Sequence, residues 1–273
     1  MSSKIVYDMP EDEYFALNRQ SKSRLSLLGD DIVYEDWLIG YKGSTKAMDF
    51  GKLVHLAVLE PERWDTDVVV APEVNRRTKA GKSEWAEFEA ANAGKIVTTQ
   101  ADYDAARKAA DRVINHPVAG PLFTGGRAEA SVLWTDKKTG IECKGRIDYL
   151  NVGQGLIVDL KTTRDPRPKA FEKSVRMFKY HAQQEMYKDG LKHVGIDIDR
   201  FLFVAVGSYY PYHVAVYELD HNHWIHGQHL VRKWLDAVKR FRDAEQTGQP
   251  LWSSLPTEIQ TLEMPAWAAK ETP

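Results

Sequence analysis

The stretch IVDLKTT, residues 157–163, places Asp159 and Lys161 two positions apart inside an otherwise apolar, strand-like run. Strand side chains alternate faces, so Ile157, Asp159 and Lys161 share one side while Leu156, Val158 and Leu160 take the other. An acid and an amine therefore point into the same space, where charge is costly without a partner or a chemical role. On the preceding run, IECKGRIDYL, Lys144, Arg146 and Asp148 form the polar face. If the NVGQG connection closes as a two-residue turn on Gly153 and Gln154, Asp148 lies opposite Asp159, at a cross-strand spacing of roughly 4.5–5.5 Å. Glu129, at the start of the run EASVLW, joins the same cluster. Three carboxylates meeting at one place repel each other unless a cation sits among them, and a hard divalent ion such as Mg²⁺ or Mn²⁺ prefers such oxygen ligands. That arrangement suits phosphodiester hydrolysis: the ion activates water and offsets developing charge, and the Lys161 ammonium orients the nucleophile. The alternative for the pair alone is a structural ion pair at a strand end.

The elements that would position these groups are legible as a succession of periodic segments. KAMDFGKLVHLAVLE (46–60) has helical apolar spacing and stops at Pro61, and residues 84–94 and 101–115 are two further amphipathic helices separated by IVTT. Three strand-like runs follow at 129–134, 141–150 and 156–163, joined by the turn-rich TDKKTG and NVGQG, which predicts an antiparallel meander. A helix over about 179–192, a hairpin of FLFVAVG and HVAVYEL around YYP, and a long helix over about 223–246 complete the order. The predicted fold class is α/β: a central mixed sheet containing the meander, flanked by helices. The 273 residues are read as a single domain, with a core at about 46–60 and 125–220, a helical insertion at about 75–120, and a C-terminal helix and tail at about 221–273.

Composition narrows the classes. The chain is 43% apolar and 28% charged, as in a soluble globular protein. Its one cysteine, Cys143, excludes an internal disulfide and argues against a Cys-rich zinc or iron–sulfur site. MSSKIVYDMPEDEY lacks the apolar core of a signal peptide and no 18-residue apolar run occurs, so a cytoplasmic location and no membrane are expected. The net charge of −2 gives no bulk attraction for nucleic acid, so binding would rest on local basic patches at 19–24, 76–82 and 161–179.

Glu129, Asp148 and Asp159-Leu160-Lys161 resemble the E…D…(D/E)xK signature of the PD-(D/E)XK (restriction-endonuclease-like) nuclease superfamily. GKLVH (51–55) looks like the G-x-x-x-H helix of its RecB-like branch, and YHAQQEMY (180–187) looks like that branch's Q-x-x-x-Y helix. Together with SKSRLSLL and MDFGKLVHLAVLEPERW, the chain is similar to RecE-type exonucleases, exodeoxyribonuclease VIII, over roughly residues 20–265. The resemblance implies an Mg²⁺-dependent exonuclease (Mn²⁺ also serving) that digests linear double-stranded DNA from 5′ ends and leaves 3′ tails in phage or prophage recombination. It further implies action on double-stranded DNA ends in a bacterial cytoplasm, with a RecT-like single-strand annealing partner, as a homo-oligomeric ring, a tetramer. On this reading His55, Glu129, Asp148, Asp159 and the Leu160 carbonyl hold the metal, and Lys161, Gln183 and Tyr187 assist catalysis. Other endonucleases of the superfamily, a Cas4-like enzyme and a non-catalytic DNA-binding or assembly protein are the alternatives. The iron–sulfur cysteines of the Cas4-like enzymes are absent.

DNA contacts are expected from a mobile basic loop with Arg76, Arg77, Lys79 and Lys82, and from Ser21, Ser23 and Arg24. For the latter three a helix cap with a solvated arginine is an equal reading. Trp134, Trp224, Trp234 and Trp252 are read as packing residues, and Glu185 as facing solvent. His181, His213, His221, His223, His226 and His229 show no recognisable zinc spacing and receive no role. The C-terminal PAWAAKETP receives none either.

Overall fold

A computed structural model describes residues 3–40, 43, 45–248 and 258–264. In chain order the elements are β1 (Lys4–Val6), α1 (Glu11–Ala16), α2 (Lys22–Leu25), α3 (Tyr34–Ile39), α4 (Lys46–Leu59), α5 (Trp64–Asp67), β2 (Val68–Val70), α6 (Lys79–Ala91), β3 (Ile96–Thr98), α7 (Gln100–Ile114), β4 (Arg127–Thr135), β5 (Glu142–Asn151), β6 (Leu156–Thr163), α8 (Pro168–Met177), α9 (Tyr180–His193), β7 (Arg200–Gly207), β8 (Val214–Glu218) and α10 (His221–Thr247). Six strands form one sheet in the order β1-β4-β5-β6-β7-β8. All its neighbours are antiparallel except β6 and β7, which run parallel across the α8–α9 crossover. This is the expected α/β architecture, a mixed sheet with a meander between helical layers.

Strict alternation builds the two cores. Ile157, Phe201 and Phe203 face α9 and α10, while Leu156, Val158, Leu160, Leu202 and Val204 face α4 and α7. The burial of apolar side chains on both faces of β6 and β7 follows from helices covering both sides. Helix ends follow local chemistry. Thr45, Thr78, Thr99 and Asp220 cap α4, α6, α7 and α10 by accepting a backbone N–H from the residue three positions on.

Four differences from the sequence reading have physical causes. The segment read as a mobile loop is half helix: Thr78 caps it, so Lys79 and Lys82 lie in the first turn of α6, and only Arg76 and Arg77 precede it. The NVGQG connection is a 3₁₀ turn over Val152–Gln154 with Gly155 left-handed (φ +57°), longer than a two-residue turn. It keeps the expected register, pairing Asn151 with Leu156 and Tyr149 with Val158. A separate helix, α8, precedes α9, and the break between them is Lys179 at φ +55°. Glu185 faces α10 rather than solvent, its Oε2 accepting Trp224 Nε1–H at 2.9 Å.

Trp134 and Trp234 are core residues, 1% and 0% exposed. Trp252 and PAWAAKETP lie outside the described residues. Among the described residues no helix is long and apolar enough to cross a membrane. Phe203 is fully buried where Phe171, Tyr180 and Phe201 meet. Phe203→Ala should therefore cost about 3–5 kcal/mol in chemical denaturation, and a loss below about 1 kcal/mol would mean the α9 face is not the close-packed core described.

Candidate metal centre

The centre is built where the sheet departs from regularity. In the β4–β5 ladder Ala128 pairs with Tyr149 and Ala130 with Ile147, which sets Glu129 level with Asp148. Glu129 has φ +52°, a left-handed backbone that a non-glycine residue adopts at a cost of about 1–3 kcal/mol. The pleat reverses there. Ala130 and Ile147 join the core under α9, but Ala128 and Tyr149 pack into the opposite core. One step further the β5–β6 ladder opens: its pairing runs from Asn151↔Leu156 only to Tyr149↔Val158. Asp148 takes over, its Oδ2 accepting the Leu160 backbone N–H at 2.8 Å.

A helix supplies the third group. A Cβ on Gly51 of α4 would stand 3.0 Å from Thr162 Oγ1, so the missing side chain lets α4 settle closely on β6. One turn later His55 Nδ1 stands 3.7 Å from Asp148 Oδ2. A ligand atom from each of His55, Glu129 and Asp148 lies within 4.8 Å of the other two. Burial and then Asp148 raise Glu129 to about 7, against the hydrogen bond from Arg146 Nε–H. Burial and then Asp159 raise the Asp148 carboxyl, while burial and then Lys161 push the His55 imidazole down, toward its neutral, ligating form. Half-buried acids that resist ionising beside a neutral imidazole are the donor set of a divalent-cation site, and the residues fit such an ion.

Asp159 stands beside this group rather than within it. It is 0% exposed, Gln183 Nε2–H donates to its Oδ1, and Lys161 Nζ lies 2.5 Å from its Oδ2, with no well-aligned hydrogen bond to that oxygen. The clustered donors are thus His55, Glu129 and Asp148, three members of the expected set of His55, Glu129, Asp148, Asp159 and the Leu160 carbonyl. Burial opposes the charge on Lys161, but Asp159 and then Asp148, with the Tyr180 ring 4.9 Å from Nζ, outweigh it and raise the Lys161 pKa. Gln183 Nε2–H also reaches Tyr187 Oη at 3.2 Å. Tyr187 lies flat on Gly145 of β5, where a Cβ would meet its ring at 2.9 Å.

Lys161, Gln183 and Tyr187 open into a cavity of about 770 Å³ whose wall includes Ser21, Lys22, Ser23 and Arg24. Ser21 also caps α2, accepting Arg24 N–H at 3.2 Å, and the Arg24 guanidinium lies 5.3 Å from the Trp37 ring. Arg76, Arg77, Lys79 and Lys82 do not line this cavity, and Arg76 instead lies 3.1 Å over Trp85. A second cavity on the Glu129 side is acidic at its rim, with Asp8, Glu11, Asp12, Glu60 and Glu62, and Arg146 lines both. Sequence reasoning missed Arg146, Tyr180 and Lys22 as members of the site. Arg146 was signalled by its alternation with Asp148, and Tyr180 by its place one turn before Gln183. Lys22, pushed down to about 7 by burial and by Lys161, carried no signal apart from the basic run around it.

A sequence profile of the family described as "PDDEXK-like domain of unknown function (DUF3799)" matches residues 34–250. No curated protein matches the chain. A crystal structure from Eubacterium rectale described as "Putative exonuclease" superposes with a TM-score of 0.57 at 12% identity, covering 97% of this chain and 99% of that one. A crystal structure of SSO0001 covers 72% of this chain and 87% of its own at 17% identity, but its TM-score of 0.31 is too low to indicate a shared fold.

Raised carboxyl groups make the site sensitive to protons. Between the unfolded and folded values the native state binds more protons, so without a divalent ion stability falls as pH rises toward and past 7. Ion binding runs the other way, because it must displace those protons. Mn²⁺ affinity should rise with pH through 7, and calorimetry in buffers of different ionisation enthalpy at pH 7 should register release of about one proton per ion. Binding with no proton release would show that the carboxylates are already ionised.

Proposed function

Because the chain belongs to the family described as PDDEXK-like domain of unknown function (DUF3799), we propose that it is a metal-dependent exodeoxyribonuclease of the RecE type. It digests linear double-stranded DNA from 5′ to 3′ and leaves 3′ single-stranded tails. The observation that carries the nuclease reading is the convergence of His55, Glu129 and Asp148, with the Lys161 ammonium and buried Asp159 alongside, next to a cavity lined by cationic groups. The RecE-like order of motifs supports exonuclease action and polarity, and the neighbouring fold described as "Putative exonuclease" is in keeping with exonuclease action.

The set that the resemblance implies, His55, Glu129, Asp148, Asp159 and the Leu160 carbonyl, would hold Mg²⁺ or Mn²⁺, and the first three of these already cluster. When bound, such an ion lowers the pKa of water and offsets negative charge building on a phosphate. Lys161 stays an ammonium in its surroundings, so it donates to the attacking water and the phosphate oxygens and does not act as a base. Asp159 and Tyr180 fix its direction. Gln183 fixes Asp159 in turn and leaves Tyr187 between the pair and the cavity. Lys22 and Arg24 face the same cavity and suit backbone phosphates, contacts that carry no sequence preference. Glu129 and Asp148, drawn by Arg146 and the Leu160 amide, are aimed before any substrate arrives.

In the recombination setting a RecT-like annealing protein takes up the 3′ tails, and four copies form a ring around the duplex in a bacterial cytoplasm. Sedimentation would give the mass of a tetramer on this reading.

With Mg²⁺, linear duplex should be degraded and covalently closed circles left intact; cutting of circles would favour an endonuclease. An end-labelled linear duplex should release its 5′ label first. Asp148→Asn and Lys161→Ala should each lower kcat about 10²–10³-fold with little change in KM. If neither variant differs from the parent, or the parent cleaves nothing with Mg²⁺ or Mn²⁺, the fold serves binding without hydrolysis.

A further inference from the structure

Behind the catalytic face of α9 lies a group of side chains to which the nuclease reading gives no role. His181 follows Tyr180 and points the other way, toward α10. It is 3% exposed, and neither ring nitrogen has a hydrogen-bond partner among the described residues. A buried imidazole normally has at least one partner, because its N–H and its lone pair are costly to strand. The rings facing it are both histidines from the first two turns of α10. His226 lies 4.8 Å away between centroids at 54°, and His223 lies 6.5 Å away at 56°.

We propose that His181, His223 and His226 form a second metal site, separate from the first, that takes a borderline-soft divalent ion of the Zn²⁺ class. Two imidazoles on one tetrahedral ion, with Zn–N near 2.0–2.1 Å, have centroids about 5 Å apart, close to the spacing of His181 and His226. His223 completes the set by turning inward. It is half-buried and His226 is exposed, so both rings have room to rotate onto an ion. Asp220 Oδ1 lies 2.6 Å from His223 Nδ1, which leaves Nε2 as the ligating nitrogen, the carboxylate–histidine arrangement that supports metal ligands. Asp220 is itself fixed as the cap of α10, accepting the His223 backbone N–H at 2.9 Å. Nitrogen donors without a convergent carboxylate select against Mg²⁺ and for Zn²⁺, Ni²⁺ or Cu²⁺.

The surrounding charges are compatible. Lys179 lies nearby, but its Nζ is neutralised by Asp30 at 2.7 Å, and Lys22 is turned to the Phe178 carbonyl. Burial, reinforced by His226 and His223, holds His181 down at about 4, so it presents the neutral, ligating imidazole. The two helices are in direct contact at this point, since a Cβ on Gly227 would meet the His181 carbonyl oxygen at 2.3 Å. A bound ion would staple the start of α9 to α10. Gln183, two residues on, is the residue that holds Asp159. His223 and His226 stand three positions apart on α10, and their third partner, some forty positions upstream, is supplied by the fold rather than by the local sequence.

Co²⁺ is the direct probe, because tetrahedral Co²⁺ has an intense visible d–d band where six-coordinate, oxygen-rich ligation gives only a weak one. The full chain carrying Glu129→Ala and Asp148→Ala, which silences that centre, should bind one Co²⁺ with such a band, displaced by Zn²⁺. His226→Ala alters an exposed residue and should weaken binding at least tenfold with an unchanged circular dichroism spectrum. Asp220→Asn should weaken it about 10-fold or more, and His181→Gln should abolish the band. No tetrahedral band in the parent would overturn the assignment. So would a band that survives both His181→Gln and His226→Ala but is lost in His229→Ala. Neither result bears on DNA hydrolysis, which has its own test at Asp148 and Lys161.

Discussion

The opening of the β5–β6 ladder at Asp148 is the constraint from which the rest of the centre follows. In a continuous sheet the two faces are separate compartments, α4 on one side and α9 on the other. Once Asp148 replaces a backbone acceptor for the Leu160 amide, the strands part, and groups from both faces meet in the gap. His55 arrives from the α4 side; Gln183 and Tyr187 arrive from the α9 side. The like charges gathered there resist ionisation, and that resistance is the latent affinity for a cation.

Much of this was legible in the chain because periodicity and chemistry agree. The alternation of Ile157, Asp159 and Lys161 against Leu156, Val158 and Leu160 could be read directly, and the two cores divide along that line. The register of β5 on β6 came out as expected although the turn did not, since a 3₁₀ turn ending in left-handed Gly155 spans the same offset as a tighter one. What the sequence concealed were departures from regularity. Nothing in EASVLW announces that Glu129 adopts a left-handed backbone and reverses the pleat, so an ideal sheet does not show that His55, Glu129 and Asp148 are the donors that cluster, with buried Asp159 acting on Asp148 through its charge. Thr78 as a helix cap was overlooked because Gly81, a poor helix former, lies in the first turn, where a Cβ would meet the Asn75 carbonyl at 2.2 Å. His181 was invisible as a partner for His226 because their contact depends on how two helices cross.

The two cavities give the centre a polarity. One wall offers Lys22, Arg24 and Lys161; the other offers Glu11, Asp12, Glu60 and Glu62, with Arg146 spanning both. A polyanion is drawn more to the first than to the second, where Arg63 and Arg146 only partly offset the carboxylates. The same asymmetry keeps Glu129, which lines the acidic side, from being neutralised by substrate-binding lysines and leaves Arg146 as its organic counter-ion.

Of all positions in β4, the one that least suits its backbone is Glu129. Glycine, asparagine or aspartate would accept φ +52° more readily. Aspartate would keep the carboxylate and ease the torsion, yet the chain carries the longer acid. The added methylene is then the informative group: from a peptide turned by the reversed pleat, the longer arm brings its carboxylate within 4.8 Å of donors on Asp148 and His55. Reach, more than charge, is what that site demands of its occupant.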